Sequence, residues 1–178
     1  MKKIMLVVLA LMLICFPALA GSASNLEAGG FTEPDFFMYG FTDSDLAPIA
    51  DYLSLLQDNG IFLKLPDLSV TKKEDQDWIY TKIGKSIWLT YQYYLDGSRQ
   101  ALWMEFPMDY KPKDEAHVLL IMSMLSIEKN KAEELYKSLQ YNLIDGNSEL
   151  STEAYKLTYY EICQGNNGSQ TLVVEVYE

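Results

Sequence analysis

Histidine, cysteine and basic side chains are scarce in this 178-residue chain: one His, two Cys, and 14 Lys plus Arg against 25 Asp plus Glu. Each shortage removes a class of function. A Ser-His-Asp or Cys-His device would have to pass through His117, which opens an apolar stretch with no Gly-x-Ser-x-Gly elbow anywhere; a surface or boundary role is expected for it. So few imidazoles and thiols also exclude a zinc site built from those ligands. The formal charge of −11 repels phosphate backbones and anionic lipid, so no nucleic-acid partner is expected. Glycine-rich phosphate loops and dinucleotide fingerprints are absent as well. No cofactor and no metal are expected, and Asp43-Ser44-Asp45 reads as helix-capping chemistry rather than a metal motif.

Long apolar runs are missing too, with one exception. Lys2 and Lys3 precede an almost unbroken apolar stretch from Ile4 to Phe16, and Ala18-Leu19-Ala20 places small residues at the two subsites a signal peptidase reads. Residues 1–20 are therefore expected to be a signal peptide cleaved after Ala20. Cys15 lacks a small residue before it, since Ile14 stands there, and a lipid anchor is not expected. The stretch is also interrupted by Pro17 and falls short of the roughly 20 residues that span a bilayer. Removing it takes two lysines and no acids, leaving 25 acidic and 12 basic side chains and a charge of −13. Cys163 is then the last thiol, so no internal disulfide is available. The expected product is secreted or extracytoplasmic, in the space of the cell envelope or beyond it, with no membrane span after signal removal. The Lys-Lys start fits a bacterial source.

What remains suits one domain with a real core. Residues 21–42 read as a tether or extended segment, and 43–178 as a single domain. Thr42 or Ser44 caps a helix in which Leu46, Ile49, Tyr52 or Leu53, and Leu56 recur at helical spacing, with Asn59-Gly60 as the stop. From Trp78 the period changes to two, and Gly84-Lys85 and Asp96-Gly97-Ser98 supply turns for a three-strand antiparallel meander. Asp114 to Leu125 reads as a helix, and Asn130 with Glu133 as cap and partner of another. A closing hairpin runs from Tyr155 to Cys163, through Gly165 to Gly168, and on from Gln170 to Tyr177. The expected class is α+β: an antiparallel sheet of about five strands, a meander plus a C-terminal hairpin, with two or three helices packed mainly on one face.

Alternation sorts the strands into faces. Ile87, Leu89, Tyr91, Tyr93, Leu95, Leu102, Met104 and Phe106 share one, expected to be the core, with Trp78 and Tyr80 joining from the first strand. Trp88, Thr90, Gln92, Tyr94, Trp103 and Glu105 share the other, beside Ile79, Thr81 and Ile83. In the closing hairpin Leu157, Tyr159, Cys163, Leu172, Val174 and Val176 are in phase, with Glu161 among them, and Cys163 is expected to be buried. The second meander face is neither plainly polar nor plainly apolar. Aromatic rings flanked by Thr, Gln and Glu suit a protein hot spot or a sugar. Trp88, Gln92, Tyr94 and Trp103 are thus the expected ligand-binding residues of an exported, non-catalytic binding module, inhibitor-like or envelope-associated, whose partner is a protein or carbohydrate. The alternative is a small exported hydrolase or lyase using a carboxylate acid or base such as Glu161, or Glu105.

Overall fold

The computed structural model describes residues 43–63, 69–72, 76–83, 87–164 and 167–177. The expected signal peptide at 1–20, the tether at 21–42 with the cap at Thr42, the Gly84-Lys85 turn and the Gly165-Asn166 loop centre lie outside them. So do the side chains of Asp43-Ser44-Asp45. Helix α1 spans Asp43–Asp58. Strands β1 (Ser69–Lys72), β2 (Gln76–Ile83), β3 (Ile87–Tyr94) and β4 (Arg99–Pro107) follow, then helices α2 (Lys113–Leu125) and α3 (Lys129–Tyr141). Strands β5 (Asn147–Ser151), β6 (Tyr155–Gln164) and β7 (Asn167–Tyr177) close the chain.

Among the described residues the strands form one antiparallel sheet in the order β1-β2-β3-β4-β7-β6-β5. The α+β class, the meander and the C-terminal hairpin are all present. Two short edge strands, β1 and β5, widen the sheet from the expected five strands to seven. The long connection through α2 and α3 returns the chain so that β7 docks on β4.

The β3–β4 register follows Asp96-Gly97: Leu89 opposes Met104 and Tyr91 opposes Leu102. Gly97 takes φ +72° and its N–H donates to Tyr94 O, a tight turn that favours glycine. Leu89, Tyr91, Leu102, Met104 and Phe106 are fully buried, as alternation requires. Leu95, grouped with them by phase, instead sits in the turn and is exposed. Between β2 and β3 the register departs from expectation, because Ile79 opposes Tyr91 while Trp78 opposes Gln92 and Tyr80 opposes Thr90. Three positions rather than two separate the paired Ile83 and Ile87, and one extra residue exchanges the register positions of the whole strand.

Ile49, Tyr52, Leu53 and Leu56 of α1 are buried at the expected spacing, and Tyr52 Oη donates to Ala116 O at 3.1 Å, tying α1 to α2. Val118 to Ile121, apolar enough for a strand, belong to α2 because the helix is enclosed all round there. Asn130 is not the cap of α3: Glu128 occupies that position and Asn130 Oδ1 accepts from Lys131 N–H inside the first turn. Ring contacts between helices and sheet fall on the expected core face. His117 of α2 meets Phe106 at 5.2 Å and Tyr159 at 6.2 Å, and Tyr136 of α3 meets Tyr159 at 5.7 Å.

Candidate functional site

The opposite face of the sheet is assembled by register. Trp88 opposes Glu105 and Thr90 opposes Trp103, so the two indoles are diagonal neighbours on β3 and β4, about 7–8 Å apart at Cα. Trp88 is 37% exposed and Trp103 is half-buried. Two rows along, Gln92 opposes Ala101 and Tyr94 lies beside it in phase. Gln92 is buried, and its Nε2 donates to Tyr94 Oη at 2.8 Å. Gln92 therefore orients Tyr94 rather than meeting solvent. The Tyr94 ring is itself covered, with the Arg99 guanidinium 3.9 Å from its centroid. Arg99 Nη1 also reaches Glu175 Oε1 at 3.0 Å. Such a stacked, paired guanidinium holds both the ring and the carboxylate in place.

Of the four expected ligand-binding residues, Trp88 and Trp103 thus share one surface, while Gln92 is buried and bonded to half-buried Tyr94 on the same face. The structure also extends the surface beyond them. Val173 opposes Trp103 across β4–β7, and the same phase continues through Thr171 and Ser169 to Tyr160 and Ile162 of β6. Tyr160 is 40% exposed and Ile162 49% exposed, large values for apolar side chains in a sheet. Alternation within the closing hairpin does place Tyr160 and Ile162 opposite Leu157 and Tyr159. What the sequence lacks is any sign that β7 docks on β4, and only that pairing joins them to the Trp pair. Among the described residues two ion pairs lie on this face: Arg99 pairs with Glu175, and Lys156 Nζ lies 2.8 Å from Glu149 Oε2.

The remaining chemical candidates are scattered over both faces of the sheet and the helices. Glu161 is half-buried on the core side, its Oε1 accepting from Gln170 Nε2 at 2.6 Å. Beside it in phase, Tyr159 has its hydroxyl pushed up to about 12 by burial and by the Glu161 charge. Glu105 is on the aromatic face, half-buried, and opposes Trp88. His117 is completely buried, contrary to a surface or boundary role, because α2 turns it into the ring cluster of Phe106, Tyr136 and Tyr159. Cys163 keeps its expected phase, opposing Gly168, yet is exposed. It lies near the turn end of a ten-residue strand, four positions past the last buried residue, Tyr159. Phase sets the face of a strand residue, not the depth of cover over it.

Among the described residues no group of three or more His, Cys, Asp or Glu converges as a metal site would, and no helix is long and apolar enough to cross a membrane. A groove of about 380 Å³ lies between the end of α2, the start of α3 and the ends of β6 and β7, with Ile127, Leu135, Tyr155 and Val176 in its wall. Its lining is mainly apolar and brings no pair of acid and base groups together. No family model matches this chain, and neither a curated protein nor a solved structure matches it.

Proposed function

We propose that the chain is an exported, non-catalytic interaction module that holds a protein partner on the sheet face bearing Trp88 and Trp103. The observation that carries this reading is the common exposure of Trp88, Tyr160 and Ile162 on one face of the sheet, with Trp103 and Val173 at register positions between them. Large aromatic anchors framed by Thr and half-buried Glu side chains have the composition of an interface centre with a polar rim. Aliphatic Ile162 and Val173 fit a protein surface better than a sugar, which stacks on rings but gains little from a branched alkyl group. Internal pairing of Arg99 with Glu175 and of Lys156 with Glu149 neutralises these charges before any partner arrives, which lowers the cost of docking beside them, while Glu105 stays as a half-buried carboxylate opposite Trp88.

Site-specific photocrosslinking in the source cells tests this. A photoreactive residue is placed at Tyr160 and, as control, at Tyr141, which is 90% exposed on α3. The expected outcome is one discrete protein adduct at position 160 and not at 141, competed away by excess native chain but not by the Trp88→Ala/Trp103→Ala variant. Equal adducts at both positions, no adduct at 160, or retention of the native chain on polysaccharide alone would overturn the proposal.

A further inference from the structure

The single histidine is enclosed by a hydrogen-bond chain with fewer hydrogens than contacts. His117 Nε2 lies 3.2 Å from Met104 O, and a carbonyl only accepts, so Nε2 carries the proton. His117 Nδ1 lies 3.2 Å from Tyr136 Oη, and Tyr136 Oη lies 2.8 Å from Asp114 Oδ1. With a neutral imidazole and an ionised carboxylate, these three contacts hold two hydrogens. The Tyr136 hydroxyl can serve either Nδ1 or Asp114, not both at once. One further proton, on Nδ1, completes the set: Nε2–H to Met104 O, Nδ1–H to Tyr136 Oη, and Tyr136 O–H to Asp114.

We infer that His117, Tyr136 and Asp114 form a proton-binding site inside the fold, filled from solvent through Asp114 by way of the Tyr136 hydroxyl. His117 and Met104 are fully buried and Tyr136 nearly so, while Asp114 stands exposed at the start of α2, so water reaches only the carboxylate end. A proton arriving on Asp114 passes to Tyr136 Oη as the hydroxyl's own proton passes to Nδ1. The hydroxyl ends with one hydrogen, as it began, and the carboxylate ends ionised opposite an imidazolium. No heavy atom has to move.

The surroundings set the balance of this site. Burial opposes the imidazolium most strongly, Lys113 of α2 adds to that, and the Met104 carbonyl and the Asp114 charge favour it; the result is a pKa lowered to about 4. Tyr136 faces the imidazole from α3, the Phe106 ring edge from β4, and Tyr159 from β6; the Tyr159 hydroxyl also shares a hydrogen bond with Tyr136 and one with Gln140 of α3, and Glu161 neighbours it in phase. Burial above all keeps the Tyr136 proton on its oxygen, so Tyr136 relays and does not store. This arrangement lets the core take up a proton with every polar contact kept.

Because the chain has one histidine, imidazole nitrogen-15 resonances of the intact protein belong to His117 without assignment. The native protein is expected to show the Nε2–H tautomer at neutral pH. Asp114→Asn, at an exposed position, is expected to move the His117 midpoint to lower pH, and Tyr136→Phe to do the same. Asp114→Asn in the Tyr136→Phe background is expected to move it by clearly less than in the native background, because the hydroxyl carries the coupling. An Nδ1–H tautomer in the native protein would overturn the inference, and that measurement needs no variant. An equal effect of Asp114→Asn with and without the hydroxyl would overturn it too.

Discussion

Truncating Phe106 and truncating Trp88 should affect stability very differently, although the larger ring belongs to Trp88. Phe106 is fully buried, stacked on Tyr110 at 5.0 Å with the rings 2° from parallel, and edge-on to His117 at 5.2 Å. Phe106→Ala loses the transfer free energy of the ring, about 2 to 3 kcal/mol. It also leaves an enclosed void, and at about 24 cal/mol per Å³ an unrelaxed volume of roughly 100 Å³ adds about 2 kcal/mol. A total of about 4 kcal/mol follows. Trp88 is 37% exposed, so its removal opens no enclosed cavity and solvent takes the space. Only the transfer part remains, reduced by the burial an unfolded chain already provides, and about 1 to 2 kcal/mol is expected. With a urea dependence of about 2 kcal/mol per molar, Phe106→Ala should lower the midpoint by about 2 M and Trp88→Ala by about 0.5 to 1 M. Equal midpoints for the two variants would refute this. They would mean that Trp88 is enclosed like a core ring and that the aromatic face is not available to a partner.

Other outcomes follow from single sites. For His117 the folded pKa of about 4 lies below the unfolded value of 6.5, so between those limits the unfolded chain binds the proton and the folded chain does not. The contribution to stability is present above pH 6.5 and is lost as pH falls towards 4, amounting to about 3 kcal/mol; urea midpoints of the native protein and of His117→Gln should converge across that window. Exposed Cys163 should react with a thiol reagent in the native protein within a few-fold of the denatured rate, and strong protection would contradict its placement. Gly146 and Gly60 both take positive φ, +77° and +75°, but a Cβ on Gly146 would meet Glu161 O at 2.5 Å whereas Gly60 has open space. Thermal unfolding should therefore show Gly60→Ala costing about 1 kcal/mol, the backbone term alone, and Gly146→Ala clearly more.

Alternation along β3 and β4 was legible in the sequence because it is a property of the extended chain itself. Successive side chains point to opposite faces whatever else the fold does. Leu89, Tyr91, Leu102, Met104 and Phe106 were thereby separated from Trp88 and Trp103 under either choice of turn, and the spacing of Ile49, Leu53 and Leu56 did the same for α1. The tertiary structure decided everything that depends on what lies across from an element. One extra residue between β2 and β3 placed Ile79 opposite Tyr91. Docking of β7 on β4 brought Tyr160 and Ile162 into line with the Trp pair. The approach of α3 to α2 enclosed His117, and distance from the buried stretch of β6 left Cys163 exposed. Loop length, strand order and depth of burial come from contacts between segments far apart in the chain, and no periodicity within one segment encodes them.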